Sequence, residues 1–260
     1  MRSILVFADK SEGMAARLET ALSLARATNG HVSLLIDTPI ARFMAMDAMG
    51  GSYLAADAMR EAMARDDLFA EELSARMARE DVPFDIQRCE DEPVDALADA
   101  SRLADVVIVT RGCDFAGQLA VSAGAPVLMV PEGQMLNFPM EQVCVGWDGG
   151  YEAAAAIRSA APLLALCGQV HLLTVQEKGG GFPATDALRY LSRHGVKAEL
   201  AELPRVGSTE ETLAAAVMRL QSELLVMGAF GHSRLREFLF GGVTDYFIGV
   251  KGGPALLLSH

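Results

Sequence analysis

Apolar and polar positions along the chain form one pattern that occurs twice. Each copy opens with a short apolar run ending in an aspartate, Ser3-Ile4-Leu5-Val6-Phe7-Ala8-Asp9 and Val143-Cys144-Val145-Gly146-Trp147-Asp148. An Ala/Leu-rich segment with helical spacing follows, Met14 to Ala27 and Ala153 to Leu166, and stops near Gly30 and Gly168, where helices commonly end. His31-Val32-Ser33-Leu34-Leu35-Ile36-Asp37 and His171-Leu172-Leu173-Thr174-Val175 then read as buried second strands. Later come the near-continuous apolar runs Val106 to Val109 and Leu224 to Met227. Each copy closes on a Pro-led strand, Pro126 to Val130 and Pro254 to Leu258. Strands apolar on both faces, separated by amphipathic helices, predict a mostly parallel sheet between helical layers. The chain is therefore expected to be α/β, with two tandem doubly wound domains of five strands each, over 1–133 and 141–260.

The copies differ in two places. Between its second and third strands the first half inserts Ile40 to Glu80, which is helical in pattern from Tyr53 to Ala78 and holds six of the chain's 13 methionines. Such a flexible, polarizable surface suits either ordinary packing or an adaptable pocket. The segment Pro131 to Glu141, with Pro131, Gly133 and Pro139 and no clear period, is expected to link the halves. The second difference is a glycine-rich loop present only in the second half.

Composition narrows the class. With 51% hydrophobic and 22% charged residues over 260 positions, the chain has the apolar material for two buried cores. No apolar run approaches the roughly 18 to 20 residues of a membrane helix, and Met1-Arg2-Ser3-Ile4 lacks a signal-peptide profile, so a soluble cytoplasmic protein is expected. Cys89, Cys113, Cys144 and Cys167 contain no CxxC pair and predict reduced thiols rather than a disulfide framework or zinc site. A net charge of −12 argues against nucleic acid as a partner. The charge is uneven: residues 1–140 hold 12 Lys and Arg against 22 Asp and Glu, a net −10, whereas 141–260 hold 10 against 12, a net −2. An anionic ligand is favoured in the second half.

The candidate chemistry is the stretch Gly228-Ala229-Phe230-Gly231-His232-Ser233-Arg234-Leu235-Arg236-Glu237-Phe238-Leu239-Phe240-Gly241-Gly242-Val243-Thr244, a GxxG followed by nine residues and another glycine. Glycine lets backbone N–H groups approach an oxygen-rich ligand with no Cβ in the way, and the end of a parallel strand is where doubly wound sheets bind ligands. A tight turn with close helix packing would use the same glycines. The spacing, followed by a small residue and Val-Thr, resembles the phosphate loop of the universal stress protein family, and the resemblance covers nearly the whole chain as two Rossmann-like copies. It implies that Gly228, Gly231 and Gly241 lie against the triphosphate of ATP or a related adenine nucleotide. Gly242 and Val243 would add backbone contacts and Thr244 a hydroxyl, while Asp148 faces the ribose or a metal and Val175 packs on adenine. Arg234 and Arg236 are candidate phosphate partners, as is His232. Nucleotide-binding members usually carry Ser or Thr where this chain has Gly242, so one hydroxyl donor is lost.

The first half lacks the loop. Aligning the fourth strands puts Thr110 at the place of Gly228, and no nucleotide is expected there. The resemblance implies a ligand-dependent stress-response module, with a homodimer as the family default. A second possibility is an adenine-nucleotide enzyme in which Asp148 and Thr244 hold Mg²⁺. With no Walker GxxxxGK[ST] motif, hydrolysis is expected to be slow. A third is a nucleotide-free dimerisation or small-molecule-binding protein, with an apolar ligand near Met44, Met46 and Met59.

Overall fold

The structure is a computed structural model that describes residues 1–40, 44, 52–176, 181–231, 242–250 and 252–260, the side chains of 52–55 excepted. In the first half, strand β1 (Ser3–Phe7) leads into helix α1 (Met14–Thr28), β2 (His31–Asp37), α2 (Ser52–Met77), β3 (Phe84–Cys89), α3 (Pro93–Ala100), β4 (Val106–Thr110), α4 (Ala116–Ser122) and β5 (Val127–Val130). The second half repeats the order with β6 (Gln142–Gly146), α5 (Tyr151–Leu164), β7 (Gln169–Val175), α6 (Ala184–Arg193), β8 (Ala198–Leu203), α7 (Thr209–Arg219), β9 (Leu224–Gly228), α8 (Val243–Gly249) and β10 (Ala255–Ser259).

All ten strands form one sheet in the order β3-β2-β1-β4-β5-β10-β9-β6-β7-β8. Within each half every pairing is parallel; the halves meet where β5 and β10 run antiparallel, with Leu257 opposite Leu128. Alternation along the strands builds two cores, one on each face. Ile4, Val6, Val106, Ile108, Leu224 and Val226 enter one cluster, whereas Leu5, Phe7, Val107, Val109, Leu225 and Met227 enter the other. The central strands are dry on both faces because a parallel sheet connected by helices has a helical layer on each side.

Helix α1 ends as its sequence suggests, one residue early: Asn29 takes the left-handed turn at φ 50° and Gly30 N–H closes on Ala25 O at 2.8 Å. In the inserted segment, the described helix α2 packs Ala70, Leu73 and Met77 into the first core. The connection 131–141 is seated rather than loose. Leu136 and Met140 are buried, and Leu136 and Phe138 donate their N–H groups to Thr20 and Ser23 of α1 at 2.9 and 2.8 Å. Met44 is exposed, and Met46 lies outside the described residues.

Candidate functional site

Strands β9, β6 and β7 lie side by side and parallel, so their carboxyl ends open on one edge of the sheet. The chain leaves β6 towards β7 on one side, while β9 lies on the other. That reversal creates the crevice in which open α/β sheets place ligands. A cavity of about 1070 Å³ occupies it. Its size stands at the upper end of the roughly 300–1,000 Å³ usual for small-molecule sites.

Seven of the nine residues expected at a nucleotide site line this cavity: Asp148, Val175, Gly228, Gly231, Gly242, Val243 and Thr244. Arg234 and Gly241 lie outside the described residues, as do His232 and Arg236. Asp148 is exposed, and its Oδ1 accepts the Gly150 N–H at 2.7 Å, turning the chain into α5. Thr244 is 8% exposed, and its hydroxyl accepts the Phe230 N–H at 3.4 Å, tying the first turn of α8 to the start of the glycine loop.

The glycines have different reasons. A Cβ on Gly228 would sit 2.6 Å from Ala153 N and the Glu152 carbonyl carbon, so this glycine lets the first turn of α5 close on the end of β9. A Cβ on Gly231 would meet only Glu152 Oε2, at 3.7 Å, and point into the cavity. Gly242 has φ 140°, a region L-residues rarely adopt, at the start of α8. A Ser or Thr would be strained there. What the sequence presents as a missing hydroxyl is, in the backbone, a conformational requirement.

Other walls come from residues that no motif singled out. Trp147 is buried and its Nε1 donates to Phe182 O at 3.0 Å, while Phe182 N–H returns to Gly149 O at 3.2 Å. Gly149 (φ 78°) and Gly181 make this crossing possible: a Cβ on either would lie within 2.5 Å of the other segment's backbone. Carboxylates of Glu152, Glu202, Glu210 and Asp245 join Asp148 around the cavity, against Arg205 alone among the described basic residues. The turn-rich run Gly179 to Pro183 was a visible signal for the crossing. Glu202 and Glu210 had none, because they arrive from β8 and α7 only once the sheet is ordered.

The matching place in the first half is filled by its own side chains. Thr110 ends β4 where Gly228 ends β9, and the small residue has moved across to Gly13, whose Cβ would lie 2.3 Å from Thr110 Oγ1. Arg17, 1% exposed, pairs with Asp9 and stands 5.6 Å from the Phe7 ring centre, which in turn makes an edge contact with Phe115. Burial pushes the Cys113 and Cys167 thiols up to about 11 and raises Cys144 and Cys89 too, which disfavours their thiolate forms. Among the described residues no helix is long and apolar enough to cross a membrane.

Residues 140–250 match the model of the universal stress protein family. No curated protein matches the sequence. Among solved structures, the chain is similar to a universal stress protein from Archaeoglobus fulgidus DSM 4304, with a TM-score of 0.75 at 16% identity over 99% of this chain and 96% of the other. It is also similar to a structure assigned to the same family from Pseudomonas aeruginosa UCBPP-PA14, with a TM-score of 0.62 at 18% identity over 100% and 93%. A partial likeness, TM-score 0.37 at 20% identity over 46% of this chain and 97% of the other, is to a universal stress protein in complex with cAMP. The two full-length likenesses establish the shared fold over both halves. The match at residues 140–250 makes the second half similar to the universal stress protein family, and the first half builds the same strand order beside that domain.

Proposed function

We propose that the second half binds ATP or a related adenine nucleotide in the cavity between β9, β6 and β7, and that the protein is a cytoplasmic stress-response module whose interactions depend on that ligand. One observation carries the reading: Gly231, Gly242, Val243 and Thr244, spread over 14 positions of sequence, meet Asp148 and Val175 around one cavity at the reversal point of the sheet. Backbone approach at Gly231 suits phosphate oxygens, and the apolar wall at Val175 suits a base.

The five wall carboxylates against Arg205 make the described lining acidic, so a polyphosphate entering it needs counter-charge. A divalent cation bound to the phosphates supplies that charge, and Asp148 is the carboxylate placed at the mouth to face it. Binding is therefore expected to be stronger with Mg²⁺ than without. Among the described lining residues no general base stands out, and the role proposed is ligand binding with at most slow hydrolysis. The test is acid extraction of freshly purified protein, with mass spectrometry of what is released. Release of adenine nucleotide at close to one per chain supports the reading. A different small molecule released at that ratio would replace it.

A further inference from the structure

The cavity belongs to the second half, but the described segments on either side of its glycine loop, at Phe230 and in α8, are held from the first. Arg111 follows β4 and sends its guanidinium across the junction. Nη1 donates to Pro254 O at 2.6 Å, Nη2 to Val250 O at 2.8 Å, and Nε to Phe247 O at 3.0 Å, with a further contact from Nη2 to Phe247 O. These carbonyls close the end of α8 and the turn into β10. The fit is tight, since a Cβ on Gly253 would lie 2.8 Å from Arg111 Nη1. All four bonds go to carbonyl oxygens, and among the described residues no carboxylate pairs with Arg111. An arginine so placed is held by helix-end geometry rather than by an ion pair.

The other end of the loop rests on the first half as well. Phe230, at φ 44°, packs in the same core cluster as Ala116, Leu119 and Ala120 of α4. A Cβ on Gly117 of α4 would come within 3.6 Å of the Phe230 ring and 3.9 Å of Ile248 in α8. Thr244 joins the two ends through the Phe230 N–H. Gly231 follows Phe230 directly, and Gly242 to Thr244 begin α8, so both cavity-lining segments have their supports in the other half.

We infer that Arg111 is a positioning residue: the first half, lacking the glycine loop itself, serves as the frame that sets the two described ends of the second half's loop, with Arg111 fixing α8 and Gly117 seating Phe230. Arg111 does not line the cavity. It acts on the ligand only through α8, and this consequence rests on the nucleotide reading given above. The sheet pairing of β5 with β10 brings the halves together, whereas Arg111 sets the geometry of the helix.

The test uses the full chain and the variants Arg111→Ala, Arg111→Lys and Gly253→Ala, the last keeping the guanidinium while obstructing its seat. In ligand-free protein, hydrogen exchange at residues 243–250 should speed up by roughly tenfold or more in Arg111→Ala, with β6 and α5 unchanged. Arg111→Lys should fall between Arg111→Ala and the parent, and Gly253→Ala should resemble Arg111→Ala. Titration with ATP and Mg²⁺ should show Kd raised roughly tenfold in Arg111→Ala, a size ordinary for coupling between separate sites. Unchanged exchange at 243–250, or a uniform rise over the whole chain, overturns the inference whether or not nucleotide binds. So does faster exchange in α8 with an unaltered Kd. A parent protein that binds no ATP ends the nucleotide reading, and the exchange experiment still decides whether Arg111 holds the helix.

Discussion

Replacing Gly231 by valine separates the proposed ligand-facing role of the glycine loop from its packing role. The backbone at Gly231 lies outside the left-handed region, and the nearest atom to an added Cβ is Glu152 Oε2 at 3.7 Å, an ordinary contact. The fold therefore accepts the side chain, which projects into the cavity. Stability should stay level or rise by up to about 1 kcal/mol, because the unfolded chain loses freedom. Binding should suffer, since a branched side chain stands where phosphate oxygens would meet the backbone. Loss of one or two hydrogen bonds to a charged ligand costs about 1.5–3 kcal/mol each. The expected fall in affinity is at least about tenfold and up to about twenty-thousandfold. Gly228→Ala is the contrasting variant: its Cβ would stand 2.6 Å from the backbone of Glu152 and Ala153. Relieving that overlap requires α5 to move, at about 1–3 kcal/mol or more. Calorimetric titration with ATP and Mg²⁺, beside urea unfolding of both variants, reads the two effects separately. Unaltered affinity in Gly231→Val, or a Gly228→Ala protein as stable as the parent, would refute this division of roles.

Other outcomes follow from the same geometry. Gly242→Ser, which restores the hydroxyl common among nucleotide-binding relatives, should not improve binding, because φ 140° strains any L-residue there; a tighter Kd by titration contradicts this. In the first half, Gly13→Ala should destabilise the protein through its overlap with Thr110 Oγ1, and adding Thr110→Gly should recover most of the loss in urea unfolding. With thiols near pKa 11, Cys113 and Cys167 should react with iodoacetamide at pH 8 far more slowly in native than in unfolded protein, as mass spectrometry of labelled peptides would show. Burial works against the charge of Asp105, yet the N–H groups of Arg2 and Ser3 hold its pKa below the ordinary carboxylate value. Its contribution is thus present above the unfolded pKa of about 3.9 and lost as pH falls through the lower folded value. Asp105→Asn should flatten the acid limb of unfolding in that window.

The sequence shows the strands that are buried on both faces. Val106 to Val109 and Leu224 to Met227 are continuous apolar runs because both sides of β4 and β9 are covered. The edge strands are another matter. Ala198-Glu199-Leu200-Ala201-Glu202-Leu203 mixes charges into its run because β8 has only one neighbour and a partly wet face, so its period alone does not separate strand from helix. The glycine loop was legible as a candidate site, but the individual reasons for its glycines were not. Gly228 answers to α5 and Gly242 to a backbone angle, and neither distance nor angle is written in spacing. Arg111 was invisible for a further reason. Its partners lie 136 to 143 positions away and come into reach only through the antiparallel pairing of β5 with β10.

On the proposed reading one cavity per chain, in the second half, takes an adenine nucleotide. Titration of ligand-stripped protein with ATP, with and without Mg²⁺, tests this. Saturable binding at one nucleotide per chain, tightened by Mg²⁺, is the predicted result. Two sites per chain would contradict the assignment to one half, and no heat or fluorescence change up to millimolar ATP would contradict the nucleotide itself.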